Sequence, residues 1–470
     1  MELINPGLEL SEFNEFGSRS LEFSGPATMT ALTLNFVAVR RRIRTAFAAF
    51  LFARTVRVAE QLILVPLFLS SWGARSYGEW LALAALAGFA ALANVGVGQA
   101  AAAEVILQST RGEFEKASRT VATALVTLTA SIAVGVAVLS LALALADLRT
   151  FAGISLDDMP EPKLLVVMLG SATLVTFLSE PLAGTLSAAK GAALPNAIAA
   201  VSKMIELICI GLALGSGAGP LVVAALMLMG AMLNVVLHLI WTVQKATWLS
   251  LSWTKFDFEI LRRICRPAAG FFVIFICVNI LGVYAPRLLI SHSLGPIALA
   301  TFGVLATYTK TARNLATMTS QATQVEIGRM WAGGDIQNVR QLIRKMLRNA
   351  TLIAAMLLVA ELLLAPLIIP RWTSGHIALD WELMFALALV ALLGSYFDGT
   401  LLAASALNRV ELISFGYATG LALGICAAIF LLPVSGHLWM IGLCLLLPEI
   451  GGVISGHRTL SRLTGKHALM

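Results

Sequence analysis

Lys310, Arg313, Asn314, Thr317, Gln321 and Gln324 recur at spacings that stack them on one side of a helix. At about 100° per residue they share a sector of roughly 100°, and the rest of the rod is apolar. The clean apolar run before them, Ile297 to Ala306, is too short to cross a bilayer, so the crossing must include the polar stripe. Facing lipid, Lys310 and Arg313 would each cost about 2.5–3.5 kcal/mol. The stripe is expected to face a wet cavity. The alternative is that the crossing ends early and Arg313 snorkels to the cytoplasmic interface. A second set, Arg54, Arg57 and Glu60, precedes the apolar run Gln61 to Ser71 on one broad helical face. Arg54 either snorkels or joins the cavity, whereas Arg57 lies deeper and is expected inside it. Glu60 either neutralises Arg57 or is itself a proton or cation site. Arg and Lys clustered in a membrane-buried vestibule imply an anionic ligand, because the guanidinium fork matches phosphate or carboxylate.

Other polar residues interrupt apolar stretches. Glu180-Pro181 sets a carboxylate beside a helix break, and Asp398-Gly399 has no charged neighbour in sequence. Both are candidates for a coupling ion, H+ or Na+, against the alternative of satisfied structural groups. Lys203 and Glu206 are spaced to pair. Arg287, after Pro286, is expected near the outer end of its helix, interfacial or an exit-side ligand. Glu361 and Glu449 are weaker candidates. The cysteines Cys209, Cys265, Cys277, Cys426 and Cys444 show no metal spacing and no disulfide framework. No phosphate-cradling GxxxxGK[ST] loop occurs and no nucleophile–base arrangement stands out, so neither an ATPase nor an enzyme is expected, and no cofactor.

The elements that position these residues are membrane crossings. The chain of 470 residues is 58% hydrophobic and only 13% charged. Apolar segments long enough to span predict about twelve helices, near 46–71, 78–99, 119–146, 164–188, 192–216, 219–242, 268–291, 296–320, 348–370, 382–404, 410–433 and 437–457. The runs are continuous rather than alternating, which excludes a barrel. Most Lys and Arg fall in the N-terminal tail, the even-numbered loops and the C-terminus, so both termini are expected in the cytoplasm. The net charge of +7 then needs no nucleic-acid partner. The expected organisation is a tail (1–45, with Met29 as an alternative start), a first lobe (46–245), an interfacial linker (246–267), a second lobe (268–460) and a short tail (461–470). Thr254 to Arg266 is expected to lie flat on the inner membrane face, and the basic stretch Arg340 to Arg348 to touch anionic lipids.

The segment from Gly73 is echoed without a gap from Gly295. Gln99 falls on Gln321, Glu104 on Glu326, Gly112 on Gly334 and Glu113 on Asp335. With an even number of crossings per copy, the repeats lie the same way up, as in transporters built from two lobes around a central site.

The segments Leu67–Gly73, Tyr77-Gly78-Glu79-Trp80, Asn94-Val95-Gly96-Val97-Gly98-Gln99 and Arg111-Gly112-Glu113 resemble the bacterial polysaccharide flippases, including the O-antigen flippases. These belong to the multidrug/oligosaccharidyl-lipid/polysaccharide exporter superfamily. Leu294-Gly295-Pro296 and Gly334-Asp335 are similar to the corresponding second-half segments, and the resemblance spans about residues 46–460. Asn94 departs from the acid usual in that motif. The resemblance implies an all-α polytopic MATE-like fold of two six-helix lobes in the bacterial inner membrane. It also implies a polyprenyl-pyrophosphate-linked oligosaccharide as substrate, with a polysaccharide polymerase and glycosyltransferases as partners. On that reading Arg54, Arg57, Lys310 and Arg313 bind pyrophosphate, and Asn314, Thr317, Gln321 and Gln324 line the cavity. The rivals are a multidrug cation antiporter of the same superfamily, a major-facilitator sugar porter and a non-transporting scaffold for glycan assembly. The sugar porter is disfavoured by the absence of Gly-x-x-x-Asp-Arg between Gln99 and Arg119.

Overall fold

The long apolar runs fold as helices because, away from water, only internal hydrogen bonding satisfies the backbone. The computed structural model describes residues 26–94, 96–145, 147–148, 159–190, 193–250, 252, 255–332, 336–407 and 411–464. In the first half these form α1 (Pro26–Gly88), a 3₁₀ turn (Phe89–Ala93), α2 (Val97–Thr110), α3 (Phe114–Leu145), α4 (Pro162–Thr176), α5 (Ser179–Lys190), α6 (Ala193–Gly215) and α7 (Pro220–Lys245). The second half holds α8 (Phe258–Phe275), a π-helical stretch (Ile276–Tyr284), α9 (Ala285–Ala332), α10 (Ile336–Trp372), α11 (Trp381–Ala406), α12 (Glu411–Ser435), α13 (Trp439–Cys444) and α14 (Leu446–Thr464). Among the described residues there is no strand.

Ten helical segments are long and apolar enough to cross a membrane. Two of them, Thr55–Ala93 with 39 residues and Ile276–Gln321 with 46, are too long for one crossing. At 1.5 Å per residue they would extend about 58 and 69 Å against a hydrocarbon core of about 30 Å. Each instead folds at a glycine with positive φ, Gly73 (77°) and Gly295 (84°), which a side chain would strain. The reversal at Gly73 is visible in the aromatics: the rings of Phe68 and Trp80 lie 5.7 Å apart, and those of Trp72 and Trp80 5.4 Å. Along an unbroken helix residues 68 and 80 would be about 18 Å apart. These paired folds are the structural form of the sequence repeat.

Most helices contain the expected crossings, with α10 starting early at Ile336 and the last crossing broken at Leu445, and three differences bear on the site. The second crossing is interrupted at residues 89–96, where Asn94 is extended and its Oδ1 accepts the Gly96 N–H at 3.1 Å. The seventh begins at Phe258, inside the stretch expected to lie on the membrane face. There Ile260, Ile264 and Ala268 are buried with Ala91, Ala101 and Leu128 of the first half. The fourth breaks at Phe177–Leu178, just before Glu180-Pro181.

The halves share one core at the side of the two glycine folds. Leu69, Trp80 and Leu83 of the first half pack there with Ile290, Leu299, Leu305 and Ile369 of the second. Close approach is enforced by glycine: a Cβ on Gly78 would sit 1.9 Å from the Pro296 carbonyl oxygen, and one on Gly88 2.4 Å from the Tyr284 ring. A hydrogen bond crosses the same seam, from Trp372 Nε1 to the Leu62 carbonyl at 2.8 Å. That carbonyl is free because residue 66, its ordinary helical donor, is proline. At the opposite side Ile327 packs with Ile343 and Leu460 in the second half and Val105 with Ala117 and Val121 in the first, and the start of α8 bridges to the first half through Ile260 and Ile264. The halves are therefore closed at the glycine-fold side.

Candidate functional site

Two cavities flank the first crossing, one in each half. The second-half cavity, about 390 Å³, is walled by the arms of α9, by α11, α12 and α14, and by Gln61 of α1. Lys310, Arg313 and Asn314 line it, and so does Arg287. Arg287 is a wall residue of the cavity, just after Pro286 and the π-helical stretch. Measured from the fold at Gly295, Arg287 lies about 12 Å along one arm and Lys310 about 22 Å along the other, an offset of about 10 Å across the bilayer.

Arg313 is engaged within the protein. Its Nε and Nη2 donate to the two oxygens of Asp398 at 2.9 and 2.8 Å, and Nη1 donates to Glu449 Oε1. The guanidinium lies flat on α11 at Gly394, where a Cβ would come within 2.1 Å of Nη1. Thr317 donates to Asp398 Oδ2 at 3.0 Å, completing that carboxylate. Asp398 is accordingly one arm of a three-helix ion cluster, not the isolated carboxylate that its sequence neighbourhood implies. Ions taken from water into the bilayer are tolerable only when so paired. Lys310 is exposed to the cavity and within electrostatic reach of Asp398. Arg287 makes no hydrogen bond or ion pair among the described residues; the phenols of Tyr77 and Tyr284 are the groups its charge senses.

The rest of the expected stripe does not reach the cavity. Thr317 is buried against Asp398, and Gln321 and Gln324 lie beyond the lining. The stripe turns from cavity wall to helix contact after Asn314, where α9 meets α10 and α11. The side chain of Arg54 lies outside the described residues.

The first-half cavity, about 330 Å³, is lined by Arg57 and Glu60 of α1 together with residues of α4, α6 and α7. Lys203 Nζ sits 2.8 Å from both Glu60 Oε1 and Glu206 Oε1. The Lys203–Glu206 pair follows its spacing, but Glu60 pairs with Lys203 and not with Arg57. At positions 57 and 60 the first crossing faces this cavity, and at position 61 it faces the other. Glu180 lines neither of the two. Gln99 Nε2 donates to its Oε1 at 3.3 Å, and Gly98 leaves room for the carboxylate, since a Cβ there would meet Oε2 at 2.2 Å. Gly98 and Gln99 of the Asn-Val-Gly-Val-Gly-Gln segment thus hold Glu180.

Glu449, a weaker candidate from sequence, and Tyr417, which sequence reasoning did not single out, both line the site. Tyr417 lines the cationic cavity and stacks on Phe397 at 4.7 Å, beside the ion cluster. Only the Gly394–Asp398 spacing, which puts both on one face of α11, hinted at a guanidinium seat.

No protein-family model matches the chain, and no curated protein sequence matches it. Solved structures do. The chain superposes on the lipid II flippase MurJ in an inward closed conformation with a TM-score of 0.68, at 15% identity, covering 89% of this chain and 87% of that one. An inward-facing multidrug resistance MATE family transporter of the MOP superfamily gives 0.64 at 15% identity, covering 91% and 99%. A MOP superfamily transporter from Pyrococcus furiosus gives 0.56 at 15% identity, covering 90% and 96%. This is the MATE fold. The chain is a polytopic helical membrane protein of that architecture, and the likeness covers nine-tenths of its length.

Proposed function

We propose that the protein is a flippase that carries a polyprenyl-pyrophosphate-linked oligosaccharide across the bacterial inner membrane by alternating access, for surface polysaccharide synthesis. The observation that carries this reading is the charge of the second-half cavity: three cations, Arg287, Lys310 and Arg313, face two carboxylates, Asp398 and Glu449. Arg313 is engaged by both carboxylates, so the cation of this cavity with no ion pair among the described residues is Arg287, while Lys310 adds to the net positive charge. A basic group in a membrane cavity without its own counter-ion is stabilised by a ligand that supplies one. The roles expected from sequence therefore divide. Lys310 and Arg287 hold the pyrophosphate, Arg313 braces the wall, and Arg57 belongs to the first-half cavity on the other side of α1.

The positive-inside pattern puts the glycine folds at the outer face and both termini in the cytoplasm. On this reading, the form closed at the glycine-fold side is the one that would receive substrate from inside. Lobe rocking would carry the head from Lys310 toward Arg287, provided that binding differs between the two states. The prenyl tail stays in lipid, and a proton or sodium ion remains open as coupling ion. A polymerase and glycosyltransferases are the partners such a flippase would serve.

Solved structures of this fold include a lipid II flippase and multidrug transporters. The net positive cavity favours the first, because a cationic drug would be repelled by Arg287 and Lys310. The test is flipping of a fluorescent lipid-linked oligosaccharide by the full chain in vesicles. Arg287→Gln and Lys310→Gln are each expected to lower the rate at least ten-fold at equal protein level. Unchanged rates in both would overturn the assignment.

A further inference from the structure

The first-half cavity is somewhat smaller than the cationic one, about 330 against 390 Å³, and is electrically balanced. Its charged side chains cancel: Arg57 and Lys203 stand against Glu60 and Glu206. Lys203 is fixed between the two carboxylates, and Glu206 is packed on Gly230, where a Cβ would meet its Oε2 at 2.4 Å. The lining between the polar groups is mostly small, with Ala172, Ala199, Ala231 and Gly230, so the space is not filled by the protein's own side chains. At about 330 Å³ it reaches the lower end of ligand-sized pockets, which begin at about 300 Å³.

We propose that this cavity is a subsite for an uncharged, polyhydroxylated ligand, the sugar portion next to the pyrophosphate; this rests on the function proposed above. An anion would approach Glu60 and Glu206, and a cation would approach Arg57 and Lys203. A neutral polyol meets donors and acceptors in balance. Arg57 presents guanidinium N–H groups and is exposed, and the carboxylate oxygens of Glu60 accept. The hydroxyls of Thr173 and Thr176 spend their protons on the Leu169 and Thr173 carbonyls at 3.0 and 2.6 Å, leaving their oxygens to accept from a sugar hydroxyl. A site built of fixed hydrogen-bonding groups discriminates strongly against a ligand that lacks the matching hydroxyls.

Placement strengthens the assignment. The wall between the cavities is the first crossing, with Arg57 and Glu60 on one side and Gln61 on the other. The two sites are at similar height on that wall, separated by the width of one helix, about 10 Å. A head group in which a pyrophosphate joins directly to a sugar spans that distance, its phosphates toward Lys310 and Arg287 and its first sugar toward Glu60.

The test uses the purified full chain and two probes, undecaprenyl pyrophosphate and the same lipid bearing a neutral trisaccharide. Binding of each is measured by native mass spectrometry for the unmodified chain, Glu60→Gln and Thr173→Val. Thr173→Val removes a hydroxyl while keeping shape and charge, so it reports even where Glu60→Gln disturbs the Lys203 cluster. The expected result is an affinity loss of about ten-fold for the sugar-bearing probe with the bare pyrophosphate unchanged. Parallel loss for both probes, or no loss for either, overturns the subsite. Arg287→Gln serves as the separate arm and weakens both probes alike. If it weakens neither, the pyrophosphate reading fails, whatever the sugar-specific difference shows.

Discussion

Replacing Trp372 by Phe removes one hydrogen bond from the seam that closes the glycine-fold side and leaves an aromatic ring in place. The bond is short, 2.8 Å from Nε1 to the Leu62 carbonyl, and the carbonyl has lost its own helical donor to Pro66. The ring of Trp372 also stands 6.3 Å from that of Tyr308, whose hydroxyl donates to the Glu361 carbonyl at 3.0 Å, so the indole is held in place from its own half. When the halves part at this side, the bond must break and the carbonyl must find water. A bond of this kind contributes about 1 kcal/mol net. Its loss is expected to shift the ratio of closed to open forms about five-fold toward open. The assay is a pulsed spin-label distance measurement between positions 70 and 376, exposed on the two halves, in a background with the five cysteines replaced. The longer-distance population should rise accordingly. Pro66→Ala supplies Leu62 with a backbone donor, so Trp372→Phe should have a smaller effect in that background than alone. Equal effects in both backgrounds, or none in either, would refute the latch.

Three further outcomes follow from the geometry. Asp398→Asn leaves Arg313 with only one charged partner inside the bilayer, and breaking a buried pair in this way costs about 3–5 kcal/mol; thermal unfolding in detergent should drop well below that of Asp398→Glu. Gly394→Ala forces a Cβ onto the Arg313 guanidinium, and it should lower thermal stability more than Gly215→Ala, where an added Cβ meets nothing within 4 Å. Gly78→Leu places bulk against the Pro296 backbone and should raise the open population in the same spin-label measurement, whereas an unchanged distance distribution would show that the seam yields elsewhere.

The fold was largely legible in the sequence, because run length alone identifies a crossing when lipid permits only helices. The folds at Gly73 and Gly295 were legible too, since the two glycines anchor the repeat. The interruption at Asn94–Gly96 was not: it depends on a side-chain cap within an apolar run, which hydropathy does not register. The site was half legible. That Lys310 and Arg313 could not face lipid follows from cost, and both line the cavity. That Arg313 is spent on Asp398 and Glu449 could not be read, because the partners lie 85 and 136 residues away and meet only when α9, α11 and α14 pack. Lys203 and Glu206 show the contrast: a pair three residues apart is visible in sequence, whereas the bond from Lys203 to Glu60 is not. Apolar length alone leaves Arg287 open between an interfacial position and an exit-side ligand, because it does not say which helix-end residues line a cavity.

The most direct test of the central claim is an experimental structure of the chain with undecaprenyl pyrophosphate bound. The account predicts phosphorus density in the second-half cavity between Lys310 and Arg287, with Arg313 still clasped by Asp398 and Glu449. Pyrophosphate found outside that cavity, or coordinated by Arg313 released from its carboxylates, would contradict it.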